Sequence, residues 1–300
     1  ALTALGVRRG DLVILPSFTF IASANAIAHC GAVPWLFDVE ARSWTLDPGQ
    51  VKECLALQTD RRDGELIHIA SGRRIGAIMP VYTFGTPADM DAFKIISKEY
   101  QLPLIADAAA ALGASYRGRN LGELADLTVF SFNGNKTITS GGGGMVVGGE
   151  KSLLKRIRHL STQARIGPHY DHDEVGFNYR MTNLQAAVGC AQLERLDEFV
   201  LAKRSIAKKY NQAFMEIPGA GIFPEVTYAE SACWFSGITI NKPILKEVDY
   251  LCQQMCENGV EGRTFWKPIH LQEPYSESPY TSFDVTESFW SSILTLPCST

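Results

Sequence analysis

The sequence predicts an α/β fold, in which a mostly parallel sheet is flanked by helices and followed by a smaller C-terminal α+β lobe. Through the first half of the 300 residues, short and nearly continuous apolar segments alternate with helical segments. Strands of that kind are typical of a parallel sheet that is covered on both faces. Polar residues suited to chemistry stand directly after several of these segments. The last third instead mixes short strands, one helix and proline-rich loops.

Local signals place the elements of the first half. Apolar runs predict strands at 12–15, 33–37, 75–81, 102–106, 127–132 and 145–147. Helical spacing predicts helices at 22–30, 47–57 and 89–100. The clearest start signal is Asp47 followed by Pro48, an N-cap residue and then the residue favoured at the first helical position. The charged, glycine-containing residues 59–74 predict an inserted hairpin or loop.

The second half is organised around one long helical pattern. Residues 182–215 keep apolar side chains at helical spacing, which predicts a helix that bridges two lobes. The polar residues 167–176 before it predict a loop. From Gly219 onward, a strand at 234–240 and a helix at 246–258 indicate the smaller lobe.

We therefore expect a large domain at 1–200 and a small domain at 201–300. The opening residues resemble the end of a helix, and the chain stops at Thr300, directly after an apolar, strand-like run. We expect the N-terminal part of the large domain and the C-terminal part of the small domain to be missing, either by trimming or because the protein is a true fragment.

Composition and charge exclude several classes of partner. Hydrophobic residues make up 46% and charged residues 20%, which is ordinary for a globular protein. The net charge of −4 argues against nucleic acid. No apolar run approaches the roughly 20 residues that span a bilayer, so no membrane partner is expected. The seven scattered cysteines contain no CxxC pair, which indicates reduced thiols and a cytoplasmic location.

The stretch 127–147, LTVFSFNGNKTITSGGGGMVV, places one lysine, Lys136, in a glycine-rich loop between two apolar runs. Glycine lets backbone approach a ligand closely, and a lysine fixed between strand ends is a candidate amine nucleophile. A surface connection with one solvated lysine is the alternative. The glycines do not form a phosphate-binding P-loop, because the lysine precedes them, and they match a dinucleotide fingerprint poorly.

Phe20, Asp107 and Lys136 all follow the ends of predicted strands. Because ligands of parallel sheets bind beyond the carboxyl ends of the strands, this coincidence favours a functional site. Asp107 could bind a cation or a protonated ring nitrogen, or it could cap the next helix. The run of histidines and acids at 169–174 has metal-ligand composition, but a solvated loop is the favoured interpretation and no metal is expected.

Four motifs carry a resemblance to a known family. They are PSFTF at 16–20, DAAAALG at 107–113, SFNGNK at 131–136 followed by four glycines, and GFNYRMTNLQAA at 176–187. In this order and spacing, the chain resembles the DegT/DnrJ/EryC1 (StrS) sugar aminotransferases, which use pyridoxal 5′-phosphate (PLP) and have fold type I. The insertion at 59–74 and the SFNGNK run look most like the legionaminic-acid-pathway branch.

The resemblance implies a role for each matched residue. Lys136 matches the lysine that binds PLP covalently, and Asp107 matches the acid that pairs with the pyridine nitrogen. Ser131 matches a hydroxyl on the cofactor phosphate, and Phe20 the aromatic residue stacked on its ring. Asn178 matches a residue that reaches the phosphate of the other subunit's cofactor, which implies a homodimer with shared active sites. The chemistry agrees, since PLP needs an amine, a carboxylate and phosphate donors.

The implied reaction is amination of a nucleotide-linked keto-sugar. The nearest expectation is a UDP-linked 4-keto-6-deoxy sugar, converted to a 4-amino sugar for surface polysaccharide or nonulosonic acid biosynthesis. Glutamate is the usual amino donor in the family. After the donor displaces it, the freed amine of Lys136 would move a proton between the donor's α-carbon and the cofactor.

Two departures keep other interpretations open. Ala110 stands where the family usually has a polar residue that reaches the cofactor's ring hydroxyl, and the family's SGT-type phosphate loop is absent from the chain. They would suit a catalytically idle or regulatory protein with the same fold. A PLP-dependent sugar dehydratase is a further alternative, but such relatives have histidine in place of Lys136.

The run GRTFWKPIH at 262–270 is the candidate substrate segment. Arg263 and Lys267 could bind a diphosphate, Trp266 could offer a ring face to a sugar or base, and His270 completes the set. Ligand sites favour lobe boundaries. The alternative is an ordinary edge strand with solvated basic residues and a packed tryptophan.

Overall fold

The structure is a computed structural model that describes residues 1–241 and 245–300. Its strands are β1 (Leu12–Pro16), β2 (Val33–Phe37), β3 (Thr59–Arg62), β4 (Glu65–His68), β5 (Ile75–Ile78), β6 (Ile105–Asp107), β7 (Ser115–Tyr116), β8 (Arg119–Asn120), β9 (Leu127–Ser131), β10 (Gly144–Val147), β11 (Arg165–Ile166), β12 (Asp171–His172), β13 (Ala220–Ile222), β14 (Ala229–Glu230), β15 (Ser236–Ile240), β16 (Arg263–Thr264) and β17 (Ile293–Leu296). Its helices are α1 (Ile21–His29), α2 (Pro48–Gln58), α3 (Met90–Tyr100), α4 (Lys151–Ser161), α5 (Asn183–Leu193), α6 (Leu196–Phe214), α7 (Leu245–Glu257) and α8 (Asp284–Phe289).

The main sheet has the strand order β2-β1-β5-β6-β9-β10. The strands β2, β1 and β5 pair in parallel, as do β6 and β9. Parallel bridges between Ile78 and Leu104 and between Val81 and Asp107 join the two groups. The last strand, β10, runs antiparallel to β9. The predicted α/β fold with a mostly parallel sheet is confirmed, with one antiparallel strand at its edge.

The core lies on both faces of this sheet. Successive residues of a strand point to opposite faces. In β1, Leu12 and Ile14 accordingly belong to one buried cluster, while Val13 and Leu15 belong to another. All four side chains are fully buried. This explains why the strand sequences are continuously apolar rather than alternating.

The local signals of the first half are confirmed. Asp47 caps α2 by accepting hydrogen bonds from the backbone N–H groups of Gly49 and Gln50, and Pro48 is the first helical residue. The insertion at 59–74 contains the antiparallel hairpin β3–β4.

The expectation of one continuous helix over 182–215 is wrong. The chain leaves the helix at Arg195, which has φ −108° and ψ 10°, between α5 and α6. The Arg195 guanidinium binds Glu198 through two hydrogen bonds of 2.9 and 2.7 Å. The polar stretch at 167–176 contains strand β12, which pairs with β11, rather than only a loop.

The second half builds a separate antiparallel sheet of order β13-β15-β17-β16. Its apolar side chains pack against α6 and α7. The chain after residue 200 also contacts the first half again. The N–H of Ile269 donates to the carbonyl of Ser17, directly after β1, and β14 joins β7 and β8 in a separate three-stranded sheet. In residues 1–241 and 245–300, no helix is long and apolar enough to cross a bilayer.

We propose the domain boundary near residue 200, as the sequence predicts, with a large domain at 1–200 and a small one at 201–300. The separate sheet supports this division. The boundary falls within α6, where Phe199 and Val200 are buried. Val200 lies close enough to Gly113 that a Cβ at Gly113 would approach it to 2.4 Å. The helix therefore packs on both parts.

Candidate active site

Asp107 ends β6 at the carboxyl edge of the main sheet. Its Oδ2 accepts a hydrogen bond of 2.6 Å from Ser23 Oγ on α1, and its Oδ1 accepts one of 3.0 Å from the Ala109 N–H. Ser23 Oγ is also 3.2 Å from Thr19 Oγ1. The carboxylate is therefore held in one orientation. The contact with Ala109 is a local turn contact, so Asp107 does not cap a helix of the structure.

Phe20 lies at the N-terminus of α1, one helical turn before Ser23. Its side chain is 50% exposed, unusual for a phenylalanine on the edge of a core. Its ring centroid lies 5.4 Å from that of Trp266. The exposed face is available to a planar ligand, and α1 connects it directly to the residue that holds Asp107.

Lys136 lies in the turn after β9, where its N–H donates to the Asn133 carbonyl. Burial lowers the pKa of its amine to about 8, and the Asp107 carboxylate opposes this shift. Its Nζ lies 3.7 Å from the centroid of the Trp234 ring. A larger fraction of this amine is therefore uncharged near neutral pH than of an ordinary lysine, which is the state that a nucleophile or proton acceptor needs.

Ser131 ends β9, and its Oγ accepts a hydrogen bond of 3.3 Å from the Asn133 N–H. The glycine run brings β10 against this strand. A Cβ at Gly144 would come within 2.5 Å of the Phe130 carbonyl, and one at Gly143, which has φ +88°, would come within 2.8 Å of Met181. The close approach made by the glycines is thus to neighbouring protein atoms.

Asn178 lies on the exposed segment before α5. Its backbone forms an antiparallel bridge with Thr162. Helix α5 follows, opened by a capping box between Thr182 and Gln185. No residue of α5 is buried, although most of its residues are apolar.

The candidate substrate residues divide into two groups. Trp266 lies between Phe20 and Trp234, with its ring centroid 5.8 Å from that of Trp234. The exposed Lys267 follows it. Arg263 instead lies on β16 with its side chain 71% exposed, and its Nε donates to Glu261 at 2.9 Å. Its guanidinium is therefore engaged by Glu261, its neighbour two residues earlier in the chain.

His270 is fixed by the protein. Its Nδ1 lies 2.6 Å from Ser17 Oγ, and its ring stacks on Phe283 at 3.9 Å. Nε2 lies 3.5 Å from Glu287 Oε1 without the geometry of a hydrogen bond. Burial lowers the pKa of the imidazole, and Glu287 opposes the shift.

One group of possible metal ligands lies beside α4, within the part of the chain that the structure describes. His159, Asp173 and Glu174 have ligand atoms within 4.8 Å of one another. His159 Nε2 lies 2.7 Å from Asp173 Oδ1, and Arg156 binds Glu174 through two hydrogen bonds of 2.9 Å. Both carboxylates are therefore already bound by protein side chains, Glu174 by the Arg156 guanidinium and Asp173 by the His159 ring.

Ala110 is buried, and its methyl group can make no hydrogen bond. The backbone here is crowded. A Cβ at Gly85, which has φ +95°, would lie 2.8 Å from the Ala110 carbonyl and 3.1 Å from Ala232 Cβ. The packing of three segments against one another therefore requires glycine at 85.

Sequence reasoning missed two residues of this region. Ser23 binds Asp107, and Trp234 contacts Lys136. Ser23 could have been found, because it lies one helical turn after Phe20 on the same helix. Nothing in the local pattern around Trp234 marks it, since its partners lie about a hundred positions earlier.

A cavity of about 700 Å³ lies beside this region, between α6 and residues 222–237. Cys233 and Phe235 line it, whereas Trp234 between them contacts Lys136. Neither Lys136 nor Asp107 lines the cavity, so it is distinct from the candidate active site.

Comparison with solved structures first gives the class of protein. The chain superposes with a TM-score of 0.88 on a DegT/DnrJ/EryC1/StrS aminotransferase from Brucella abortus, at 28% identity, covering 99% of this chain and 77% of that one. It superposes on DesV of S. venezuelae with a TM-score of 0.86 at 31% identity, covering 99% and 76%. The fold is that of the PLP-dependent transferases of fold type I.

The chain belongs to the DegT/DnrJ/EryC1/StrS aminotransferase family, whose profile matches residues 1–300. It is 37% identical to EpsN of Bacillus subtilis, named a pyridoxal phosphate-dependent aminotransferase, over 96% of this chain and 71% of EpsN. It is 35% identical to the GDP-perosamine synthase of Caulobacter vibrioides, over 99% and 76%. The chain is thus a PLP-dependent aminotransferase, and the predicted family and cofactor are confirmed.

The residues at the sheet edge fit this cofactor. The amine of Lys136 has a lowered pKa, and the carboxylate of Asp107 is held near enough to act on it. Phe20 exposes an aromatic face, and Ser131 offers a hydroxyl at the end of the adjoining strand. These groups supply the amine, acid, ring contact and phosphate donor that PLP requires.

Proposed function

We propose that this aminotransferase transfers an amino group from glutamate to a nucleotide-linked 4-keto-6-deoxy sugar. The product would be a 4-amino sugar for surface polysaccharide or nonulosonic acid biosynthesis. The observation that carries the proposal is Lys136, a partly buried amine of lowered pKa, at the same sheet edge as the fixed carboxylate of Asp107. A lysine also speaks against the dehydratase alternative, whose members have histidine at this position.

Each residue then has a task. Bound PLP would supply the electron sink for the reaction. Lys136 would hold the cofactor and, when not bonded to it, would move a proton at the reacting carbon, because an amine with a pKa of about 8 can both accept and release a proton near neutral pH. Asp107 would keep a proton on the ring nitrogen, Phe20 would cover a ring face, and Ser131 would donate to the phosphate.

The most specific part of the proposal is the nucleotide to which the sugar is linked. The motif resemblance to the legionaminic-acid-pathway branch favours UDP. The names of some relatives contain other nucleotides. GDP appears in the name of the GDP-perosamine synthases. dTDP appears in that of the dTDP-3-amino-3,4,6-trideoxy-α-D-glucose transaminase of Streptomyces venezuelae, which is 32% identical over 99% of this chain and 74% of its own length. A test must therefore compare all three nucleotides.

The substrate would lie along the aromatic residues next to Lys136. Trp266, beside Phe20, would contact the sugar or base, and the exposed Lys267 would meet the diphosphate. Arg263 would also have to break its ion pair with Glu261 to bind the diphosphate, which costs little because the pair is exposed. His270 would keep the segment against Ser17.

We further propose a homodimer with shared active sites. Helix α5 supports this, because a helix with apolar residues all round and none buried exposes a surface that a monomer rarely keeps in water. Leu184 is 81% exposed, and Tyr179 beside Asn178 is 72% exposed. A second copy on this face would carry Asn178 toward its partner's cofactor phosphate.

A reducing compartment, as in the cytoplasm, also forms part of the proposal. All seven cysteines are free thiols, which is the usual state in the cytosol.

The test is a spectrum. Purified protein loaded with PLP should show the visible absorbance of a lysine-bound cofactor and lose it on addition of a UDP-linked 4-amino-4,6-dideoxy sugar. GDP-linked and dTDP-linked sugars are run beside it, and the nucleotide that bleaches fastest identifies the substrate. The free amino sugar is the matched control. If free and nucleotide-linked sugars respond equally, the nucleotide-sugar proposal fails.

A further inference from the structure

The candidate catalytic lysine rests on a tryptophan that no motif marks. Lys136 Nζ lies 3.7 Å from the centroid of the Trp234 ring. An ammonium within about 6 Å of an aromatic centroid is attracted to the electron-rich face, most strongly for tryptophan. Trp234 is only 3% exposed, so water weakens this attraction little.

Trp234 is held from three sides. Its indole Nε1 donates a hydrogen bond of 2.7 Å to the carbonyl of Asn135, the residue directly before Lys136. Its backbone N–H donates to the Phe84 carbonyl at 2.9 Å. Its own carbonyl accepts a hydrogen bond of 3.2 Å from Lys203 Nζ on α6. The same indole thus binds the loop that carries the lysine and offers its face to the amine.

The backbone around Trp234 is strained. Phe84 has φ +57° and Cys233 has φ +49°, a region that bulky side chains rarely adopt. Cys233 directly precedes Trp234, and the Phe84 carbonyl accepts its N–H. Strained residues persist where the surrounding structure fixes them, and they cluster at functional sites.

We propose that Trp234 is a positioning residue for Lys136, which holds the amine against its indole face whenever the lysine is not bonded to the cofactor. This inference rests on the proposed role of Lys136. A displaced lysine has four flexible bonds and could swing away from the reacting carbon. The indole face keeps its ammonium at one place, and the bond to Asn135 keeps the loop beneath it in register.

The pKa of the Lys136 amine reflects its burial and one charged neighbour. Burial disfavours the ammonium form, and Asp107 is the charged group that acts on the pKa of Lys136. The Trp234 face adds an attraction that needs no second carboxylate. It therefore favours the protonated lysine while the lysine is displaced from the cofactor, without binding the amine as tightly as an ion pair would.

The first test uses the cofactor-free protein. An ammonium against an indole changes its fluorescence, so a titration of the wild type should show a step with its midpoint at about pH 8, the pKa of Lys136. Lys136→Met should lack the step. Trp266→Phe should keep it and Trp234→Phe should lose it. Identical titrations of the wild type and Lys136→Met would overturn the proposal.

The second test separates the contribution of the indole ring face from that of the hydrogen bond between Nε1 and Asn135. In Trp234→Leu the ring face is lost, and kcat should fall about tenfold while the KM of either substrate changes less than twofold. Trp234→Phe keeps a face without the bond to Asn135, and it should recover most of kcat. A merely structural role would lower kcat equally in both variants, and Trp234→Phe would then recover none of it.

The outcomes distinguish this inference from the proposed function. If Lys136→Ala remains active, the proposed function fails, whatever Trp234 does. If Lys136→Ala is inactive but the fluorescence step is absent and Trp234→Leu keeps its kcat, only the present inference fails. Should Trp234→Leu not fold, the comparison of wild type with Lys136→Met still decides, because it changes no tryptophan.

Discussion

Ser23 on α1 donates a hydrogen bond of 2.6 Å to Asp107 at the end of β6. The helix that begins beside the exposed ring of Phe20 therefore also fixes the candidate acid. Each carboxylate oxygen already accepts one hydrogen bond, from Ser23 or from the Ala109 N–H. A carboxylate has about four acceptor positions, so Asp107 can still accept from a protonated ring nitrogen.

Asp107→Asn should lower kcat on the order of a hundredfold while leaving PLP bound. A neutral amide cannot hold a proton on the ring nitrogen, so the cofactor loses its capacity to accept electrons. The free energy of unfolding should fall by only about 1 kcal/mol, because the single amide oxygen keeps one of the two hydrogen bonds, from Ser23 or from the Ala109 N–H, and loses the other. Single-turnover absorbance and urea unfolding measure the two effects. Wild-type rates in this variant would show that Asp107 serves only its local turn.

Lys136→Ala should abolish amino transfer and leave the fold intact, because Lys136 lies in a turn and not in the core. The variant should bind PLP without the absorbance of the lysine-bound cofactor. The control is Lys155→Ala, which removes an exposed lysine of α4 and should retain full activity. Amino transfer and circular dichroism are measured on both. Substantial turnover by Lys136→Ala would end the assignment.

Much of the fold could be predicted from sequence because the signals are local. The apolar run at Val33–Phe37 and the capping pair Asp47–Pro48 determine their elements with little help from distant residues. The direction of β10 could not be predicted, because an apolar run indicates neither which strand it pairs with nor whether the pairing is parallel or antiparallel. The break at Arg195 has no glycine or proline to announce it, and the helical pattern continues across it.

The residues of the candidate site also divide into those that the sequence could predict and those that it could not. Asp107 and Lys136 could be found because the carboxyl ends of parallel strands meet at one edge of the sheet. Trp234 could not, because its contacts with Asn135 and Lys136 join residues about a hundred positions apart. Only the packing of α6 and the strained turn at Cys233 bring it there.

The stability of the cofactor-free protein should depend on pH through Lys136. Burial lowers its pKa from 10.5 to about 8 in the folded state. Between these values the unfolded chain binds this proton and the folded chain does not, so the free energy of unfolding rises with pH across the window. Below about pH 8 both states are protonated, and the cost of the buried ammonium is fully present.

The measurement is urea unfolding of the wild type and Lys136→Met at pH 7.5 and pH 10. The difference between them isolates Lys136, since all other groups titrate alike in both proteins. The wild type should gain stability relative to the variant as the pH rises. The control is Lys155→Met, which removes an exposed lysine. The wild type should gain no stability relative to this variant as the pH rises. A difference that is independent of pH would contradict the lowered pKa.

A mixed dimer should recover activity that neither parent has. Lys136→Ala lacks the amine, and Asn178→Asp places a negative charge where we propose that Asn178 meets the partner's cofactor phosphate. In a mixed dimer, one site combines the intact Lys136 of one chain with the intact Asn178 of the other. The purified mixed dimer should therefore regain about half of the wild-type activity, and an unseparated statistical mixture about a quarter.

The two chains carry different tags, so that the mixed dimer is purified after brief unfolding and refolding together. As the control, Lys136→Ala is mixed with a chain that carries both substitutions, and no site then contains the amine. Leu184→Asp, on the exposed α5, should convert the dimer to monomers and remove the activity with it, because it places a charge on the apolar surface. An inactive mixed dimer, once its composition is verified, would mean that each site is built from a single chain and that the exposed face of α5 has another partner.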